Sequence, residues 1–216
     1  MTTRAPSDSP KITPPRVHGV VDRERLFAWI DAAIAPVVWI AGPPGAGKTT
    51  LAASYVGARR RPVLWYQLDA GDADPANFFH FLAHAAARIR LRRGEPLPRL
   101  ATESPGDIAA FAHRWFRVLF ARLPADCVVV LDNFQDAADT AFAVVARVAF
   151  AEVPAGRRVV VCCLTDPPDT LARLVANRHV DVVPADALLL TAAEAEQFLS
   201  THTELDQSAR IVLGAQ

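Results

Sequence analysis

The stretch WIAGPPGAGKTTLAAS, residues 39–54, decides the fold of this chain. Its centre, GPPGAGKT (42–49), matches G-x-x-x-x-G-K-[ST] at every fixed position. Each residue type answers a chemical need. Glycines let backbone N–H groups converge on a phosphate where a Cβ would clash. Lys48 reaches the outer phosphates of a nucleotide, and the Thr49 hydroxyl suits Mg²⁺. The helical pattern that follows brings the positive end of a helix dipole to the same anion. The expected phosphate-binding set is Gly42, Pro43, Pro44, Gly45, Ala46, Gly47, Lys48, Thr49 and Thr50, holding ATP or ADP with Mg²⁺.

Other apolar runs read as strands: VVWIA (37–41), PVLWYQL (62–68), CVVVLD (127–132), RVVVCCL (158–164) and ADALLL (185–190). Most are continuous rather than alternating, the pattern of parallel strands covered on both faces. Helical spacing lies between them. A first helix covers 22–34, with Asp22 as its N-cap; another runs from the loop to about Arg60. A third covers 74–91, with Asp74 as N-cap and Pro75 at the first helical position. Further helices are predicted at 104–123, near Asp139 to 153, and at 169–177. The last, 191–200, opens with Thr191 and Glu194 at capping-box spacing. The alternation predicts an α/β fold with a parallel five-stranded sheet, helices on both faces and ligands at the C-terminal ends of the strands. Residues 1–15 read as a disordered or extended lead-in, 16–190 as the P-loop NTPase core, and 191–216 as the truncated start of a helical lid.

The 216 residues carry a formal net charge of zero, 51% hydrophobic and 21% charged side chains. That balance argues against strong attraction to DNA or to an anionic membrane. No apolar run has the length of a membrane span, and the N-terminus lacks the apolar segment of a secretory signal. The three cysteines, Cys127, Cys162 and Cys163, lie in strand-like runs without ligand spacing and read as buried small hydrophobes in a reducing cytoplasm. His80 and His84 share a helix face, and Arg88, Arg90, Arg92 and Arg93 crowd its C-terminal end; both read as a helix surface.

A phosphate loop of this kind needs an acidic residue at the end of another strand. Asp132 closes CVVVLD and is expected to orient Mg²⁺. Hydrolytic members of this fold follow it with a second carboxylate that activates water. Here the next residue is Asn133, whose amide accepts no proton at neutral pH. Asp136 reads as a cap for the helix near Asp139, and Asp69 and Asp72 as loop and cap residues. The catalytic candidates are therefore Lys48, Asp132 and Asn133, the last able only to position water.

Taken in order, KITPPRVHGVVDRERLFAWI (11–30), the phosphate loop, VLWYQLDAGDADPANFFHFLAHAA (63–86), VVVLDNFQDA (128–137) and DALLLTAAEAEQFL (186–199) resemble the nucleotide-binding core of the STAND NTPases. The similarity is to the subgroup of the maltose-regulon activator and related bacterial transcriptional regulators, over about residues 11–200. The resemblance implies a three-layer P-loop NTPase of the additional-strand, AAA/RecA-like type. It places Val20, Val21 and Arg23 near the adenine and ribose, although Arg23–Glu24 also reads as a solvated first helical turn. It departs from the family at Asn133 and after the fourth strand. There LTDPPDTL (164–171) puts Thr165 and Asp166 where an arginine usually senses the γ-phosphate.

These features predict a cytoplasmic ATP/ADP-binding switch in signal transduction or transcription regulation, with slow or absent hydrolysis. Its partners are nucleotide and downstream regulatory domains or a protein. No DNA-binding element or membrane segment is expected within the chain, which reads as a fragment or a short stand-alone relative, and the resemblance allows for an oligomer when ATP is bound. Alternatives are an active ATPase of an oligomeric AAA-like machine, a small-molecule phosphotransferase, and a nucleotide-stabilised interaction scaffold.

Overall fold

Val37–Ala41 (β1), Val63–Gln67 (β2), Val128–Asp132 (β3), Arg158–Cys163 (β4) and Val180–Val183 (β5) form one parallel sheet in the order β2-β3-β4-β1-β5. The computed structural model describes residues 10–100, 108–137 and 141–201. Strand β4 stands between the two strands that end in the phosphate loop and in Asp132. This is the additional-strand arrangement of a P-loop fold.

The continuous apolar runs are explained by two packed faces. Val38, Ile40, Val130, Val160 and Cys162 join a cluster with Leu26, Phe27 and Ile30 of Glu24–Ala32 (α1) and with Leu51 and Tyr55 of Lys48–Ala58 (α2). The alternate residues Val37, Trp39, Val129, Leu131 and Val161 face Pro75–Ala87 (α3), Ile108–Arg122 (α4) and Ala141–Ala151 (α5), through Phe78, Trp115, Phe116 and Phe142. Three layers result. Two further helices, Ala172–Ala176 (α6) and Ala192–Thr201 (α7), flank β5 in sequence.

Two expectations need correction. The fifth strand is Val180–Val183, not residues 185–190. It pairs with β1 from Val37↔Val180 to Ile40↔Val183. As an edge strand it is only half covered and tolerates Asp181, so it lacks the continuous apolar signature. Pro184 has no N–H with which to extend the ladder, and Ala185–Leu188 coils into a 3-10 turn that buries Leu188. Helix α1 begins at Glu24, so its N-cap is Arg23 rather than Asp22; Arg23 gives no side-chain cap, and its carbonyl accepts from Leu26 and Phe27. Asp74 does cap α3, accepting from the Ala76 N–H at 2.9 Å. Thr191 and Glu194 form the expected capping box, with bonds of 2.9 and 3.2 Å. The expected helix starts at Ser104 and near Asp139, and the segment after 201, lie outside the described residues.

The described part of the lead-in is docked. Pro10–Ile12 makes a 3-10 turn, Ile12 is buried, and the Lys11 ammonium lies 2.7 Å from Asp69 and 2.8 Å from Asp72. Asp72 has no exposed surface; it also accepts from Tyr66 Oη at 2.7 Å and from the Asp69 N–H at 2.9 Å. Asp69 and Asp72 thus cap the turn after β2. Lys11→Met leaves a carboxylate buried without its cation, and is expected to cost about 3–5 kcal/mol in urea unfolding. Adding Asp72→Asn, which removes that charge, should recover most of the loss.

Candidate functional site: the phosphate loop and its acidic partner

Strand β1 ends at Ala41 and the chain turns through residues 42–47 into α2. Gly45 and Gly47 have φ of +81° and +79°, a region that side-chain-bearing residues avoid. A Cβ at either would meet no other atom within 4 Å, so backbone conformation, rather than space, requires glycine there. At Gly42 the constraint is space: a Cβ would fall 2.7 Å from Leu188 Cδ1, and the Leu188 side chain would have to shift. Gly47 occupies the N-cap of α2 without any side-chain cap, and the first turn carries no acidic residue. The N-terminal N–H groups of α2 are thus left for an anion.

Lys48 Nζ donates to the carbonyls of Gly42 and Pro43 at 2.6 and 2.8 Å, folding its charge over the loop. Thr49 Oγ1 lies 2.9 and 3.0 Å from the two carboxylate oxygens of Asp132. Asp132 stands at the end of β3 and is 2% exposed. Burial raises its pKa above the ordinary carboxylate value; the Thr49 hydroxyl, the Asn133 N–H, the Lys48 charge and the Cys162 thiol oppose that shift. A hydroxyl, a carboxylate and an ammonium at one loop are the donor set that a phosphate with a hard divalent cation requires. The residues therefore fit Mg²⁺ and a nucleotide phosphate: Thr49 and Asp132 would hold the cation, and Lys48 and the loop N–H groups the phosphates.

Asn133 follows Asp132 with φ of +54°. Asparagine and aspartate are enriched in this left-handed conformation, which β-branched side chains avoid. Beside Asn133 opens a cleft of about 560 Å³, lined among others by Lys11, Gln67, Phe81, Asn77 and Asp136. Gln67 pairs in register with Asp132 across β2 and β3. Asp136 accepts from Gln135 Nε2 at 3.0 Å.

Thr165 and Asp166 are exposed beyond the end of β4, where the Thr165 carbonyl accepts from Trp39 Nε1 at 2.8 Å. Arg157 and Arg158 lie at the opposite end of that strand. Arg157 donates to the carbonyls of Phe120, Leu123 and Pro124, and Arg158 to those of Ala33 and Ala35. Neither is near the loop.

Val21 is buried and Arg23 is 9% exposed. The Arg23 guanidinium donates to the carbonyls of Leu188 and Leu189, both at 2.8 Å, and its Nε is buried without a partner. Arg23 is therefore a buried link between chain segments rather than a solvated first-turn residue. Two features escaped sequence reading. Cys162, fully buried, donates its thiol to the Lys48 carbonyl at 3.6 Å and lies against Asp132. Leu188 packs against Gly42. The three cysteines are free and buried, as expected. Among the described residues no helix is long and apolar enough to cross a membrane.

No protein-family model matches the sequence, and no curated protein matches it. Solved structures do match. One is the Signal Transduction ATPase with Numerous Domains (STAND) protein with a tetratricopeptide repeat sensor from Pyrococcus horikoshii, at a TM-score of 0.63 and 20% identity. The match covers 94% of this chain and 28% of that one, so the chain spans under a third of its neighbour's length. At this identity the likeness establishes the shared fold.

The raised pKa of Asp132 has a consequence for stability. The folded chain holds that proton to higher pH than the unfolded chain does. Stability therefore falls as pH rises from the ordinary value of 3.8 through the raised one. Asp132→Asn should remove this loss and raise urea resistance at neutral pH, while weakening Mg²⁺-dependent nucleotide binding by about 10–100-fold.

Proposed function

We propose that the chain is a nucleotide-binding switch domain that holds ATP or ADP with Mg²⁺ and hydrolyses ATP slowly. The observation that carries the binding half is the convergence of Lys48, Thr49 and Asp132 on one loop, with Thr49 bonded to both oxygens of the carboxylate. The fold shared with a STAND protein agrees with a STAND-type switch, as does the order of motifs resembling the maltose-regulon-activator subgroup. The nucleotide would supply the phosphate charge that Lys48 and the loop N–H groups are arranged to receive.

The slow half rests on what surrounds the loop. Asn133 stands beside Asp132 where a base would be useful, and an amide can orient water without taking its proton. Asp166 brings negative charge to the turn after β4. Val20, Val21 and Arg23 are assigned to the base and ribose side of the same site. Downstream regulatory domains or a protein partner would read the state of the lid that begins at α7. Under this reading the domain acts in the cytoplasm, in signal transduction or transcription regulation, and ATP-dependent oligomers are one form of readout.

Two variants test the reading. Lys48→Ala should lower ADP and ATP affinity at least about tenfold by calorimetry, since a charge-assisted contact contributes about 1.5–3 kcal/mol. Asn133→Asp keeps the left-handed backbone and adds a carboxylate, so its turnover should exceed the wild-type rate. Equal affinity for Lys48→Ala would refute the site. An unchanged rate for Asn133→Asp would show that the missing base does not limit hydrolysis.

A further inference from the structure

The first turn of α1 and the first turn of α7, 169 residues apart at Arg25 and Glu194, are joined by a compact ionic junction. Arg25 Nε and Nη2 donate to Glu194 Oε1 and Oε2 at 3.1 and 3.2 Å, and Nη2 also to the Leu189 carbonyl at 2.6 Å. Arg23 adds its bonds to the Leu188 and Leu189 carbonyls and approaches Glu194 Oε2 at 3.4 Å. The same carboxylate caps α7 through the Thr191 N–H. Burial alone would push the Glu194 pKa up. The Thr191 bond and the two arginines outweigh it and hold the pKa below the ordinary value, so the group is a carboxylate at neutral pH.

The junction is tied to the phosphate loop through Leu188, and α1 is tied separately to the far end of α2. Leu188, whose carbonyl Arg23 grips, seats its side chain against Gly42 and joins the cluster that includes Leu51 of α2 and that Ala46 packs against. Helix α1 is fastened to α2 near its other end, where Arg59 bonds Glu24 at 2.6 Å and Asp31 at 2.8 Å. By contrast, Leu189 and Leu190 are 71% and 46% exposed. Apolar burial therefore fixes this linker only at Leu188, and the arginine bonds fix the rest.

We propose that Arg23, Arg25 and Glu194 form a clasp that positions the Leu188–Thr191 linker against the phosphate loop, coupling nucleotide affinity to the docking of α7. The clasp deepens the nucleotide-binding reading and rests on it. Arg23 and Arg25 act as positioning residues, through Leu188 and α7. If a bound phosphate favours the loop shape onto which Leu188 packs, it favours the closed clasp. Linkage then requires the clasp to favour the phosphate by the same factor.

The test uses the full chain with ADP and Mg²⁺, reading amide exchange over 188–200 and ADP affinity by calorimetry. In wild type, ADP should slow exchange across this segment. Arg25→Met, at a partly exposed position, should speed exchange there and weaken ADP binding about five- to tenfold, the lower range of allosteric couplings. Arg25→Lys should recover part of both effects. Glu194→Gln should weaken binding similarly, and the double variant no further than the worse single one. A purely structural role would lower the unfolding midpoint while leaving ADP affinity and ADP-induced protection unchanged, and that result overturns the clasp. Failure of wild type to bind ADP or ATP would instead refute the nucleotide reading, and the clasp with it. Wild-type binding with an unaltered Arg25→Met refutes the clasp alone.

Discussion

The bonds from Thr49 to both oxygens of Asp132 bring together the two strands on which the site is built. They connect residues 83 positions apart, across the ends of β1 and β3. Because β4 lies between those strands, the contact forms only when all three are in register. The sheet must twist and pack correctly before a buried carboxylate can find its hydroxyl. Two apolar faces supply that packing, and they explain why the strands read as unbroken apolar runs.

The same contact is where stability opposes the proposed nucleotide and Mg²⁺ binding. Asp132 is nearly buried, and its charge is disfavoured there. The chain retains a carboxylate at a place where a neutral residue would fold more easily. Such a cost is characteristic of a group kept for a ligand. Asp72 is a contrasting case. It is equally buried, but Lys11 and Tyr66 satisfy it fully, and its role is to anchor the N-terminal segment. Two buried aspartates thus differ in their partners, one saturated and the other held by hydroxyl, thiol and amide groups that a cation could supplement.

Much of this was legible in the sequence because it is local. The phosphate loop declares itself by spacing, four of the strands by apolar runs, and α3 and α7 by their caps. What escaped notice is long-range or weakly patterned. Strand β5 is a half-covered edge, so VDVV carries no continuous run, while the apolar ADALLL is a turn that buries Leu188. Arg23 looks like an exposed first-turn residue until the Leu188 and Leu189 carbonyls arrive from the far end of the core. The Lys11–Asp72 pair and the Cys162 thiol beside Asp132 likewise depend on contacts that no sequence period encodes. Asn133 is legible in the sequence as an amide next to Asp132. Its left-handed backbone, which explains why a short polar residue suits the position, became visible only in the fold.

The central claim is that the loop holds nucleotide far better than it consumes it. A single-turnover experiment with the chain in molar excess over ATP and Mg²⁺, following phosphate release after confirmed binding, tests it directly. The expected result is ATP that stays bound and intact for many minutes. Release at about 1–10³ per second, the range of ordinary enzymes, would contradict it.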